Sequence, residues 1–307
     1  MKLGFFTAAL PGMDLAQVAN WAAESEFQTL EIACWPAGKA ERRYAGVSHI
    51  DVASLDQAGA KEIRSMLRGH DLEISSLGFY PNPLHPDADV REGAFAHIKK
   101  VVDAAVLLEV EIVGTFIGAD QSKSAAENLE TFAKLWPPII KYAGERGIKI
   151  AIENCPMLWH DTWPGGQNVA YSPTIWKQMF EIIPDENFGL NYDPSHLVWQ
   201  HMDWLKPIRE FADRIFHVHA KDVRIDRHRL DDVGILATPN EYHKPKLPGL
   251  GDIDWGKFIS VLGDAGYDGP VCVEVEDRAY ERDLGTRKAS LVQSHTFLRN
   301  FIPRMPG

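Results

Sequence analysis

Ile215-Phe216-His217-Val218-His219-Ala220-Lys221-Asp222 is an apolar run broken at every second position by a polar side chain. In a β-strand alternate residues share a face. His217, His219 and Lys221 therefore lie on one side, and Phe216, Val218 and Ala220 on the other. Two imidazoles and an ammonium on one strand face suit neither an apolar core nor a solvent edge. The same interruption recurs in Ile150-Ala151-Ile152-Glu153-Asn154, Gly189-Leu190-Asn191-Tyr192-Asp193 and Val271-Cys272-Val273-Glu274-Val275-Glu276. Each run stays apolar until its last residues, where a carboxylate appears. The pattern places a binding site where these strand ends converge.

Working outward, strands are expected at residues 3–8, 29–34, 73–80, 112–118, 149–154, 188–193, 215–222 and 270–276. Helical spacing of apolar residues fills the intervals, at 15–24, 56–69, 93–108, 124–147, 172–182, 204–211, 254–263 and 286–301. Pro137-Pro138 should kink or restart the fourth helix. Regular alternation of strand and helix means parallel βαβ units. An open doubly wound sheet would also alternate, but no Gly-rich turn follows the first strand and no phosphate-loop motif is present. Eight units favour a closed barrel, and the expectation is a single (β/α)8 TIM barrel spanning residues 1–307. Segments 35–49, 155–171 and 223–251 each follow a strand end and are too long to be simple connectors. They are expected over the C-terminal face, with Trp35, Arg43, Trp159 and Arg224 enclosing a substrate.

The chain has 307 residues, 45% hydrophobic and 24% charged, an ordinary balance for a soluble globular protein with a sizeable core. A formal charge of −11 repels phosphate backbones, which argues against nucleic acid as a partner. Cys34, Cys155 and Cys272 lack metal-type spacing and cannot all pair, so they read as reduced structural thiols in a cytoplasmic protein. No run approaches the roughly 20 apolar residues a membrane span needs. The short apolar stretch after Lys2 is cut off by Pro11-Gly12 and serves as the first strand.

In such barrels catalytic groups gather at the C-terminal ends of the strands. Glu153, Asp193, His219 and Glu274 occupy that level on four successive strands. Bare like charges there would raise each other's pKa, and a divalent cation removes that cost. Individually each residue has a plainer role, as a salt-bridge partner or a core histidine. Their coincidence on four consecutive strands points to a metal.

The runs Ala151-Ile152-Glu153-Asn154, Asp193-Pro194-Ser195-His196, His217-Val218-His219-Ala220-Lys221-Asp222, Gly249-Leu250-Gly251-Asp252-Ile253-Asp254-Trp255 and Glu274-Val275-Glu276 closely resemble the xylose isomerase-like TIM-barrel superfamily. Within it the chain resembles the sugar phosphate isomerase/epimerase group. That resemblance implies metal ligands at Glu153, Asp193, His219 and Glu274. It also implies that Glu153 and Glu274 remove and return a proton next to a carbonyl, through an enediolate. His217 then falls behind the ligands. With His196, Lys221, Arg224, Trp159 and Glu31 it joins the expected substrate-binding set. The group's substrate arginine lies six residues after the ligand histidine, where this chain has Ile225, and Arg224 is one residue short.

One divalent ion is expected, Mn²⁺ first, with Mg²⁺, Co²⁺ or Zn²⁺ also fitting an oxygen-rich donor set. The expected partner is a small carbohydrate, with neither nucleic acid nor membrane, and the long loops could also join copies of the chain in a homo-oligomer. The competing readings are a metal-dependent lyase or deglycosidase acting on oxidised 3-keto glycosides, and a sugar-binding barrel without catalysis. A DNA-repair endonuclease on the same barrel would need a basic groove, which the charge opposes.

Overall fold

Aliphatic runs that are buried on both faces build parallel sheets, and here they form eight such strands. The computed structural model describes residues 1–36, 38, 44–158 and 166–303. The barrel strands are β1 (Lys2–Phe6), β2 (Thr29–Ala33), β3 (Glu73–Gly78), β4 (Ile112–Thr115), β5 (Lys149–Glu153), β6 (Phe188–Tyr192), β7 (Ile215–Ala220) and, after a hairpin of β8 (Asp222–Ile225) and β9 (His243–Lys246), β10 (Pro270–Val273). The order β1-β10-β7-β6-β5-β4-β3-β2 closes on itself, every barrel pair is parallel, and the hairpin stands outside the ring. The (β/α)8 architecture expected from the sequence is the one observed.

The helices are α1 (Leu15–Glu24), α2 (Gln57–Gly69), α3 (Ala88–Leu108), α4 (Ala125–Leu135), α5 (Pro137–Gly144), α6 (Pro173–Ile182), α7 (Ser195–Val198), α8 (Lys206–Glu210), α9 (Arg227–Val233), α10 (Trp255–Asp264) and α11 (Leu284–Leu298). Two boundaries differ from the sequence reading for local reasons. The Asp87 carboxylate accepts from the Asp89 and Val90 amides, so α3 starts at Ala88 rather than 93. Pro137 lacks an amide hydrogen and sits at N1 of a new helix, so the stretch at 124–147 is two helices. No described helix is long and apolar enough to cross a membrane.

The segment 223–251 is not an irregular connector. It holds β8, α9 and β9, and β8 pairs antiparallel with β9 from Asp222↔Lys246 to Ile225↔His243. Asp222 fastens both ends of this excursion. Its carboxylate accepts from Val223 N at 2.8 Å, Gly249 N at 2.9 Å, Ile253 N at 3.2 Å and Trp255 Nε1 at 2.9 Å. Gly251 passes so close that a Cβ would strike the Asp222 carboxylate and the Val223 carbonyl. Asp222→Ala would leave four donors unmet, three of them in buried hydrogen bonds. It is expected to cost about 3 kcal/mol, read as a lowered urea midpoint at unchanged slope.

Candidate functional site

The strand ends that the alternation predicted to converge do so. The last residue of β5 is Glu153, Asp193 follows β6, His219 is the fifth residue of β7, and Glu274 follows β10. One donor atom from each lies within 4.8 Å of all the others. All four side chains are buried. His219 Nδ1 is 3.5 Å from Glu153 Oε1 and 3.6 Å from Glu274 Oε2. Glu153 Oε1, Asp193 Oδ2 and His219 Nδ1 are buried and make no well-formed hydrogen bond among the described residues. Buried polar atoms are normally satisfied. Three such convergent atoms, two of them carboxylate oxygens, fit a divalent cation.

The buried ammonium beside these donors is that of Lys221, 2% exposed. Its ammonium is 2.6 Å from Glu274 Oε2, 3.1 Å from Asp193 Oδ2, 3.3 Å from Glu276 Oε2 and 3.8 Å from Glu153 Oε1. The electrostatics of the two glutamates diverge. Burial opposes the charge on Glu153, but the His196 and His219 imidazoles and the Lys221 ammonium outweigh it, holding the carboxyl well below the usual range. Burial dominates at Glu274 and, with Glu153 and Glu276 nearby, pushes its carboxyl up in spite of Lys221. Two facing carboxyls pushed apart in this way are the raw material of acid–base chemistry.

Beneath the four donors runs a polar layer where a barrel normally packs branched aliphatic residues. Glu31 Oε2 receives a 2.6 Å hydrogen bond from His219 Nε2, and Tyr80 Oη donates to Glu31 Oε1 at 2.5 Å. The Asn191 amide group lies 2.9 Å from both Tyr80 Oη and His219 Nε2, and 3.0 Å from His217 Nδ1. His217 Nε2 reaches Ser75 Oγ at 3.1 Å. Gly78 leaves room for this layer, since a Cβ there would sit 2.7 Å from Glu31 Oε1. With Nε2 committed to Glu31, His219 turns its other nitrogen toward the carboxylates, an arrangement typical of histidines that hold metals.

A cavity of about 810 Å³ opens above. His196, Lys221, Glu153 and Glu274 line it, as do Trp35 and Tyr44 from the loop after β2, Met157 and Leu158 from the loop after β5, and His243, Lys244 and Lys246 from the hairpin. All three long segments therefore reach the catalytic face. Several residues expected to touch substrate are placed elsewhere. Glu31 and His217 are wholly buried beneath the donors and do not line the cavity, because the strand alternation that points them inward also puts them one layer too deep. Arg224 is exposed on β8 and absent from the lining, since its neighbours Val223 and Ile225 take the inward face of that strand. Trp159 and Arg43 lie outside the described residues. The sequence reading missed Tyr80, Asn191 and His243. Asn191 carried a signal, lying two residues before Asp193 on the same strand face, and the other two had none.

Known proteins similar to this chain share the architecture. An inosose dehydratase of Clostridium perfringens (strain 13 / Type A) is 34% identical over 77% of this chain and 80% of its own length. Crystal structures of a D-psicose 3-epimerase in the presence of D-fructose (TM-score 0.70, 16% identity) and of the IOLI protein with a binding zinc atom (TM-score 0.72, 15% identity) each cover 99% of this chain and 100% of theirs. The model of one family matches residues 19–301, nearly the whole barrel with its four convergent strand ends, and the chain belongs to that family, the xylose isomerase-like TIM barrels.

Proposed function

We propose that this protein is a metal-dependent carbohydrate dehydratase. It would take a proton from the carbon beside a ketone in a polyhydroxylated substrate and expel a hydroxyl from the next carbon. Glu153, Asp193, His219 and Glu274 would hold the ion, with Mn²⁺ the best match to three carboxylates and one imidazole and Mg²⁺, Co²⁺ or Zn²⁺ compatible. When bound, the ion supplies Lewis-acid stabilisation of an enediolate. Glu153 accepts the proton from carbon. The carbon–oxygen bond then breaks, and the Lys221–Glu274 pair gives the departing hydroxyl its proton, releasing water.

The observation that carries this reading is the buried Lys221 ammonium, 2.6 Å from Glu274. Proton return between two carboxylates needs no such group, whereas expelling a hydroxyl needs an acid. The similarity to inosose dehydratases supports it. Epimerisation, with Glu274 returning the proton to the opposite face of the same carbon, is the second reading, favoured by the placement of two glutamates across one cavity.

A panel of ketoses and cyclic polyhydroxylated ketones, incubated with Mn²⁺ in deuterated water, separates the two. The expected product has lost one water. A product that keeps every oxygen and carries deuterium at the reacting carbon would establish epimerisation instead, and binding without turnover would leave only a sugar-binding barrel. Lys221→Met is expected to stop water loss while substrate still exchanges its carbon-bound hydrogen with solvent. Loss of both activities together would remove Lys221 from the acid role.

Glu31 acts here through His219 rather than on substrate. Glu31→Gln should weaken ion binding by about 10–100-fold, measured by competition with a chromophoric chelator. Unchanged affinity with lowered turnover would return Glu31 to the substrate.

A further inference from the structure

The single turn after β6 carries a second histidine whose chemistry is set by its neighbour. His196 and Trp199 lie three residues apart, and Trp199 Nε1 is 3.3 Å from His196 Nδ1 in hydrogen-bonding geometry. An indole N–H can only donate. His196 Nδ1 is therefore the acceptor and carries no hydrogen, which puts the ring hydrogen of the neutral imidazole on Nε2. That nitrogen is 3.3 Å from Asp193 Oδ2 and 3.6 Å from Glu153 Oε1, yet it makes no hydrogen bond among the described residues. The residue is 7% exposed and lines the cavity.

Trp199 is itself held. Its ring stacks on His243 of β9 with centroids 4.9 Å apart and planes 12° apart, and it packs against Val223 and Ile225 of β8. His243 in turn is fixed by a 2.6 Å hydrogen bond between its Nδ1 and the Pro239 carbonyl. The contrast with His219 is direct. His219 spends its Nε2 hydrogen on Glu31 and turns its other nitrogen toward the carboxylates, whereas Trp199 fills the bare nitrogen of His196 and leaves an N–H facing them.

We propose that Trp199 is a positioning residue: it locks His196, which the family resemblance already places among the substrate-binding residues, as an Nε2–H donor toward a substrate oxygen beside Glu153 and Asp193, and so keeps it from holding metal. The identity of that oxygen, a hydroxyl or carbonyl of a polyhydroxylated substrate, rests on the function proposed above; the lock does not. One consequence is stoichiometric. Glu153, Cys155 and His196 come close enough to hold an ion of their own, but His196 has no free lone pair for it. One ion per chain follows.

The test is ¹⁵N–¹H correlation spectroscopy of the metal-free protein labelled at histidine, with the His196 signals assigned by their loss in His196→Gln. Wild type should show His196 with hydrogen on Nε2 and a bare Nδ1. Trp199→Phe keeps a ring to stack on His243 and removes only the N–H. It should give a mixture of the two tautomers, and kcat/KM should fall about tenfold, the worth of one well-placed hydrogen bond. The same substitution in a His196→Gln background should change kcat/KM no further, because a glutamine amide needs no tautomer fixed. Zn²⁺ titration followed by elemental analysis should reach one ion per chain. A wild-type His196 with hydrogen on Nδ1, or two zinc ions with His196 perturbed on binding the second, overturns the proposal even if Trp199→Phe fails to fold. Because the tautomer is read without substrate or turnover, it can stand if the dehydratase assignment fails, and can fail while that assignment holds.

Discussion

Glu153→Gln and Glu274→Gln should each remove turnover, by roughly 10²–10⁴-fold for the loss of a positioned proton acceptor or donor, with the barrel intact. An amide keeps the size of the carboxylate and one oxygen for a cation, but it neither accepts a proton from carbon nor passes one on. The two variants should differ in what survives. Glu153→Gln removes the group held ionised by His196, His219 and Lys221, so exchange of the substrate's carbon-bound hydrogen with solvent should stop. Glu274→Gln spares that base, so exchange should continue after net reaction has ended. Exchange lost equally in both variants would make the base assignment wrong. A circular-dichroism spectrum and melting temperature near wild type confirm that the comparison is of chemistry and not of folding.

His219→Ala should have the next largest effect, on ion binding and on stability together. It removes the imidazole from the four-residue set, and the expected loss of divalent-ion affinity is at least about 10²-fold, above the range for groups that merely orient a ligand. It also strips Glu31 of its 2.6 Å partner. Glu31 is wholly buried, and its carboxyl is held below the usual range against the cost of burial chiefly by His219. Breaking such a pair from one side typically costs 3–5 kcal/mol. The double variant His219→Ala, Glu31→Ala should recover much of that stability and none of the ion binding. If the single variant is as stable as wild type, Glu31 is satisfied by Tyr80 alone. If it still binds metal with unchanged affinity, the donor set is wrong.

The barrel was legible because its signal is repetitive. Eight apolar runs with helical stretches between them admit few topologies, and polar residues at alternate positions near strand ends mark one shared level. The four donors were legible for the same reason, since a β-strand dictates which side chains share a face. Depth along that face was not. Glu31 and His217 point inward as read, but they lie under the donors, because the stagger between neighbouring strands comes from register. The register shifts at Leu30/Glu31 and Leu190/Asn191 occur beside just these residues. The hairpin was hidden by its composition. His243-Lys244-Pro245-Lys246 has neither alternation nor β-branched residues, and it forms a strand because β8 offers it an edge and Asp222 holds its base. Nothing in the spacing of Trp199 shows that its N–H meets a histidine.

The Asp222 fastening has a practical consequence. Val223 and Gly249, the two ends of the hairpin excursion, are hydrogen-bonded to the same carboxylate, so everything between them leaves the barrel and returns at one point. Such a segment is an interchangeable cassette. A related chain's stretch could be spliced between the same two anchors without moving β7 or β10, carrying its own wall for the cavity while Glu153, Asp193, His219 and Glu274 stay where they are. Selection on libraries confined to residues 224–248 should therefore change which molecule is accepted faster than it changes what is done to it.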